Sequence, residues 1–214
     1  MIENSLESGG EVDLSSSMPE LRQFRWAVAA ALLFGLTGSA SADIITLGGP
    51  LLGSNENPPT GSPATGFALV SFDSVLNTLT LDVSFSGLTG TTTAAHIHCC
   101  VPLGGNAPVA TTVPAFAGFP LGVTSGTYHG VLDLTLPSSF NPAFITANGG
   151  TTAQAEATLV AGFQNFQTYL NVHTTTFPGG EIRANLVPEP GTTILLAICL
   201  TGLVVVRKRW STSR

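Results

Sequence analysis

The residues of this chain best suited to chemistry are its histidines, of which it has four among 214 residues. His96 and His98 stand one residue apart in the run AHIH, and His173 lies in a later run, YLNVH. Residues i and i+2 of a β-strand point to one face about 7 Å apart. The first two imidazoles can therefore share a metal ion if a third ligand approaches, and His173 is the natural third. Copper and zinc are the ions that such donors imply. The competing reading needs no ion: imidazoles bonded to backbone, or to Asn171, Glu181 or neighbouring threonines, would tie adjacent strands together. His129 follows Tyr128 and belongs to neither motif.

Cys99 and Cys100 are adjacent to each other and directly follow His98. They can form a vicinal disulfide, stay as thiols, or supply soft metal ligands. Cys199 falls in an apolar C-terminal run, so a long-range disulfide framework is not expected. No nucleophile elbow, Ser/His/Asp arrangement or pair of catalytic acids is recognisable, and no enzyme is expected. Glu156 falls on the solvent side of an expected helix. Glu181 and Arg183 share a strand face and can pair with each other or with a neighbouring strand; at a surface such a pair contributes only about 0–1 kcal/mol.

A His-x-His pair on one strand with a histidine on a late strand is similar to part of the copper site of Cu,Zn superoxide dismutases. The resemblance stops there, because four histidines are too few for the bridging ligand and separate zinc set of that enzyme. The alternative to a non-catalytic protein is therefore a copper- or zinc-binding domain with redox-type activity.

Strands must position these side chains. Leu79, Leu81, Val83 and Phe85 alternate with polar residues, the period of a strand with one buried face. Further strands are expected at 44–47, 66–73, 94–99, 127–136, 169–174 and 181–186, separated by Gly, Pro and Asn. Ala155, Leu159, Phe163 and Phe166 instead recur at helical spacing, with Thr151 and Gln154 as a capping box. Gly179 and Gly180 are expected at positive φ in a turn, with Ile182, Ala184 and Leu186 pointing inward. About seven strands, one short helix and a long excursion over 102–125 predict an all-β domain. The expected architecture is a Greek-key β-sandwich, immunoglobulin-like or Cu,Zn superoxide dismutase-like.

Charge excludes one class of partner. Between Asp43 and Val187 there are seven acidic residues, one arginine and no lysine. Nucleic-acid binding needs cations to replace phosphate counterions, and this stretch has none to spare.

The remaining cations mark the two ends. From Met18 a basic stretch with Arg22 and Arg25, an apolar run (AVAAALLFGLTG) and SASA form a signal peptide over 18–42, cleaved after Ala42, with Ala40 and Ala42 as the small residues. Residues 1–17 are polar and acidic and are expected to be an extension from a misassigned start. At the other end VPEPG precedes TTILLAICLTGLVVV and RKRW, an order that resembles the PEP-CTERM sorting signal. About fifteen apolar residues followed by Arg207, Lys208 and Arg209 suit a membrane helix with its cations on the cytoplasmic side. The resemblance implies that an exosortase-type protease recognises Pro188, Glu189 and Pro190 and removes the tail 188–214. The protein would pass signal peptidase, pause in the inner membrane, and reach the cell surface or exterior, in company with exopolysaccharide or other surface proteins.

The middle segment, 43–187, resembles the CHRD (chordin-type) family through GSNENPP, AHIH and YLNVHTTTFPGGEIRANL. That resemblance implies a secreted binding or matrix role without a reaction.

Overall fold

The computed structural model describes residues 43–188. The expected extension, signal peptide with Ala40 and Ala42, and tail with Glu189, Pro190, Cys199, Arg207, Lys208 and Arg209 lie outside the described residues. Among the described residues no helix is long and apolar enough to cross a membrane.

Seven strands form one antiparallel sheet: β1 (Ile44–Leu52), β2 (Thr65–Asp73), β3 (Thr78–Ser86), β4 (Thr92–Cys99), β5 (Gly126–Asp133), β6 (Thr168–Thr174) and β7 (Ile182–Asn185). Their order is β4-β6-β7-β1-β2-β3-β5, so the chain crosses the sheet from β3 to β4 and again from β4 to β5. The all-β expectation holds. Hydrogen bonding is continuous, because two wings, β4-β6-β7 and β1-β2-β3-β5, join where Leu52 pairs with Arg183 and Gly48 bridges Val187.

The curled sheet closes on one apolar cluster. Leu79, Leu81, Val83 and Phe85 of β3 are buried, as their alternation requires, and Ala95, Ile97, Leu170, Val172, Ile182 and Ala184 meet them from the other wing. The segment after β4 runs along that strand's free edge, with Ala110 donating to the Ile97 carbonyl at 2.9 Å and Phe116 to that of Ala95 at 3.3 Å. Backbone groups that would otherwise invite another chain are thereby covered.

Several boundaries depart from the sequence expectation. β1 runs to Leu52 instead of ending at Leu47, through the breakers Gly48, Gly49 and Pro50. A Cβ on Gly49 would lie 2.5 Å from the Asn185 carbonyl oxygen, so glycine here permits the close approach of β7. β5 stops at Asp133, whose carboxylate accepts from the Thr135 amide at 2.9 Å and turns the chain.

Among the described residues two α-helices are present where one was expected. The first, α1 (Pro142–Ala147), is capped by Asn141, whose side chain accepts from the Ala143 amide at 3.1 Å, and six residues are too few to show a period. The second, α2 (Thr152–Gln164), starts at Thr151, whose hydroxyl accepts from the Gln154 amide at 3.3 Å, and buries Ala155, Leu159 and Phe163. Phe166 does not extend that face: it lies beyond the helix end, 41% exposed with φ 55°.

Candidate metal centre

Strand β6 is buried on both faces. Leu170 and Val172 enter the apolar core, whereas Tyr169, Asn171 and His173 alternate to the opposite face of the wing. There they meet His96 and His98 from β4 and Arg183 from β7, with Asn171 directly opposite both His96 and Arg183. All six polar side chains are at most 8% exposed.

Their shielding comes from two loops, residues 53–62 and 101–107. Asn57 donates to the Gly104 carbonyl at 2.8 Å, and Asn106 returns a bond to the Asn57 carbonyl at 2.7 Å. Asn55 donates to the carbonyls of Pro50 and Arg183, each at 3.0 Å, which pins the first loop to β1 and β7.

His96, His98 and His173 each offer one ring nitrogen, and these nitrogens lie within 4.8 Å of one another. His98 Nδ1 is 2.7 Å from the Ala107 carbonyl oxygen and His173 Nδ1 is 2.9 Å from that of Pro178. A carbonyl only accepts, so both Nδ1 atoms carry the proton and both Nε2 atoms hold a lone pair. Those two Nε2 atoms, with Nδ1 of His96, are buried and have no hydrogen-bond partner among the described residues. Leaving one buried polar atom unpaired costs about 1–3 kcal/mol, so three of them in one place is an expensive arrangement that a shared cation would relieve.

The imidazoles are neutral at physiological pH. Burial, reinforced by the other two histidines, lowers His96 to about 3. Burial likewise lowers His98 to about 4, against the opposing hydrogen bond to Ala107, and it lowers His173 against the bond to Pro178. Neutral imidazole is the form that binds a metal.

Beside the histidines lies a second polar layer. Tyr169 stacks on His98 with ring centroids 4.6 Å apart and 8° between planes, and the Arg183 guanidinium carbon sits 3.7 Å over the Tyr169 ring. The Tyr169 hydroxyl accepts from the Ala107 amide at 3.0 Å, so Ala107 fixes both the tyrosine and His98. Arg183 donates to the Gly105 carbonyl at 2.9 Å and to Asn106, and its Nε lies 3.3 Å from Glu56. Burial pushes the Glu56 carboxyl up to about 7, against the pull of Arg183 and of Asn171, which donates to it at 3.4 Å.

Glu181 and Arg183 do not pair with each other, and neither lies at the surface. Both are buried, and Arg183 turns to Glu56 while Glu181 takes a different set of partners. Ser62, the Thr89 amide and the Thr89 hydroxyl donate to one Glu181 oxygen at 2.7, 2.7 and 2.9 Å. The Gly90 amide and Thr174 hydroxyl donate to the other at 3.3 and 2.6 Å. Burial alone would raise this carboxyl, but the bonds from Thr174, Thr89 and Ser62 hold it below its ordinary value. In the adjoining turn only Gly180 has positive φ, 124°, and Gly179 does not.

Cys99 and Cys100 are joined by a disulfide. Cys99 points into the core, on the face of β4 opposite His96 and His98. His129 is remote from the cluster and pairs with Asp82 at 2.7 Å on an exposed face. Glu156 is half-buried, and Pro188 is exposed at the end of the described chain.

The three motifs noted in the sequence thus converge on one site. Glu56 comes from GSNENPP, the histidine pair from AHIH, and Tyr169, Asn171, His173 and Arg183 from the last motif. Sequence reasoning passed over Glu56 and Tyr169. The period-two rule places Tyr169 on the face of His173, but nothing in the sequence reveals that a loop brings Glu56 onto Arg183.

Comparison with known families gives one match: the family model for the CHRD domain covers residues 47–186. No curated protein and no solved structure matches the chain.

Proposed function

Because the chain belongs to the CHRD-domain family, we propose that it acts outside the cytoplasm as a non-catalytic binding module that holds a transition-metal ion at His96, His98 and His173. The observation that carries this reading is the convergence of three neutral imidazoles to within 4.8 Å, each with one buried ring nitrogen that has no partner among the described residues. Imidazole donors without a carboxylate suit copper or zinc and not calcium or magnesium. An ion at about 2 Å from each nitrogen would draw donors that now lie within 4.8 Å of one another to about 3.5 Å.

Delivery rests on the ends of the sequence: a cation-led apolar run with SASA, and VPEPG followed by an apolar run and RKRW. In this reading signal peptidase cuts after Ala42, the tail pauses the protein in the inner membrane, and an exosortase-type protease acts at Pro188, Glu189 and Pro190. The released domain then joins exopolysaccharide or other proteins at the cell surface. The two wings of the sheet serve as the two layers of a Greek-key sandwich, with the metal on the outer face of one layer.

The test is metal content of the exported chain, purified without chelators, beside His96→Ala, His98→Ala and His173→Ala. About one ion per chain is expected, lost in each variant that remains folded by circular dichroism. A folded wild type that carries no metal and takes up neither copper nor zinc would overturn the proposal.

A further inference from the structure

Resting on the metal-binding reading, we infer that the ion is copper and that the site favours Cu(I) over any divalent ion, because a buried arginine adds positive charge beside a purely neutral ligand set.

Coordination number argues first. The cluster among the described residues contains three donors, all imidazole nitrogens. Glu181 is committed to five hydrogen bonds, Glu56 faces Arg183 and Asn171, and Cys99 lies on the opposite strand face. Hard cations take oxygen, and zinc on three imidazoles needs a water as its fourth ligand, which this covered site would have to admit. Cu(I), with a filled d shell and one charge to neutralise, is satisfied by three nitrogens in a trigonal arrangement.

Charge argues second. Strand order places β6 between β4 and β7, so Tyr169 stands between His98 and Arg183. The guanidinium is therefore roughly 8 Å from the His98 ring, through a stack that excludes water. Arg183 is 2% exposed, and the repulsion it exerts on a dication is twice that on a monocation at the same point. Glu56 offsets part of this field, so removing either partner shifts the preference in a predictable direction.

The experiment uses the exported chain at pH 8. Cu(I) affinity is read under anaerobic conditions by competition with a chromophoric Cu(I) chelator, and Cu(II) and Zn(II) affinities with matched chelators. The expected result is Cu(I) held at least about 10³-fold more tightly than either divalent ion. Arg183→Met should shrink the Cu(I)-to-Cu(II) ratio about tenfold, and Glu56→Gln should enlarge it by a similar factor. Should Arg183→Met fail to fold, Glu56→Gln alone decides the electrostatic step. Zinc or Cu(II) bound as tightly as Cu(I), or an unchanged ratio in folded Glu56→Gln, would overturn the inference while leaving the metal-binding reading intact. Absence of all metal binding would end both.

Discussion

His98 and Tyr169 lie ring to ring, 4.6 Å apart and 8° from parallel, and both are tied to the backbone of Ala107. The pairing follows from register, since the two residues face each other across β4 and β6. Tyr169→Phe keeps the stack and loses the hydroxyl bonds to Ala107, so it should cost about 1 kcal/mol of stability and change metal affinity only a few-fold. Tyr169→Leu removes the stack and the seat of Arg183, so it should cost more, roughly 2–4 kcal/mol, and weaken metal binding at least tenfold. Urea unfolding and chelator competition on both variants check this. Equal metal affinities in the two would show that the ring does not position His98.

Acid should unfold the ion-free domain through its histidines. In the unfolded chain an imidazole takes up its proton near 6.5, whereas His96 and His98 in the fold do so only near 3 and 4, and His173 is lowered as well. Between about pH 6.5 and 4 the unfolded state binds more protons, so stability falls as pH falls. Glu56 acts the other way: the folded carboxyl keeps its proton up to about 7 and the unfolded one releases it near 4.5. His96 and His98 alone outweigh one carboxyl, leaving a net loss on the order of 1 kcal/mol per pH unit to which His173 adds in the same direction. Urea midpoints of chelator-treated protein at pH 6.5 and 4.5 measure it. A domain more stable at pH 4.5 would mean that the carboxyl dominates.

Much of the fold was legible because the strands obey a two-residue period. Leu79 to Phe85 could be placed on the core, and the same rule put His96 with His98 and made His173 a candidate partner. The extension of β1 through Gly48, Gly49 and Pro50 was not legible, because those residues read as breakers and their role appears only when the Asn185 backbone lies against Gly49. Nor could the sequence show that β6 is covered twice. A lone pattern such as Tyr-Leu-Asn-Val-His reads as one polar and one apolar face, and only the roof formed by residues 53–62 and 101–107 makes the polar face an interior. For the same reason Glu181 and Arg183 read as a surface pair when each is buried with other partners.

Glu181 should be a stabilising residue of the terminal hairpin, independent of metal. Its two oxygens receive five donors from Ser62, Thr89, Gly90 and Thr174. Glu181→Gln presents an amide group to some of those donors and removes the charge that strengthens the rest, so a loss of roughly 2–4 kcal/mol is expected. Metal stoichiometry should remain that of the wild type in the fraction that folds. A stability change below about 0.5 kcal/mol in urea unfolding would contradict the assignment.

The two glycines of the last turn should behave differently although they are neighbours. Gly179 has ordinary φ, and a Cβ there would meet nothing within 4 Å, so Gly179→Ala should leave stability within about 0.5 kcal/mol or raise it by restricting the unfolded chain. Gly180 has φ 124°, and a Cβ there would lie 2.4 Å from the Asn171 amide nitrogen. Gly180→Ala therefore strains the backbone and pushes Asn171 from its contact with Glu56, at the position directly opposite His96. The expected cost is about 2–4 kcal/mol, with weaker metal retention in the folded fraction. Thermal unfolding with and without copper measures both effects. If the two alanine variants lose equal stability, the turn tolerates a side chain at Gly180 and Asn171 is not held by it.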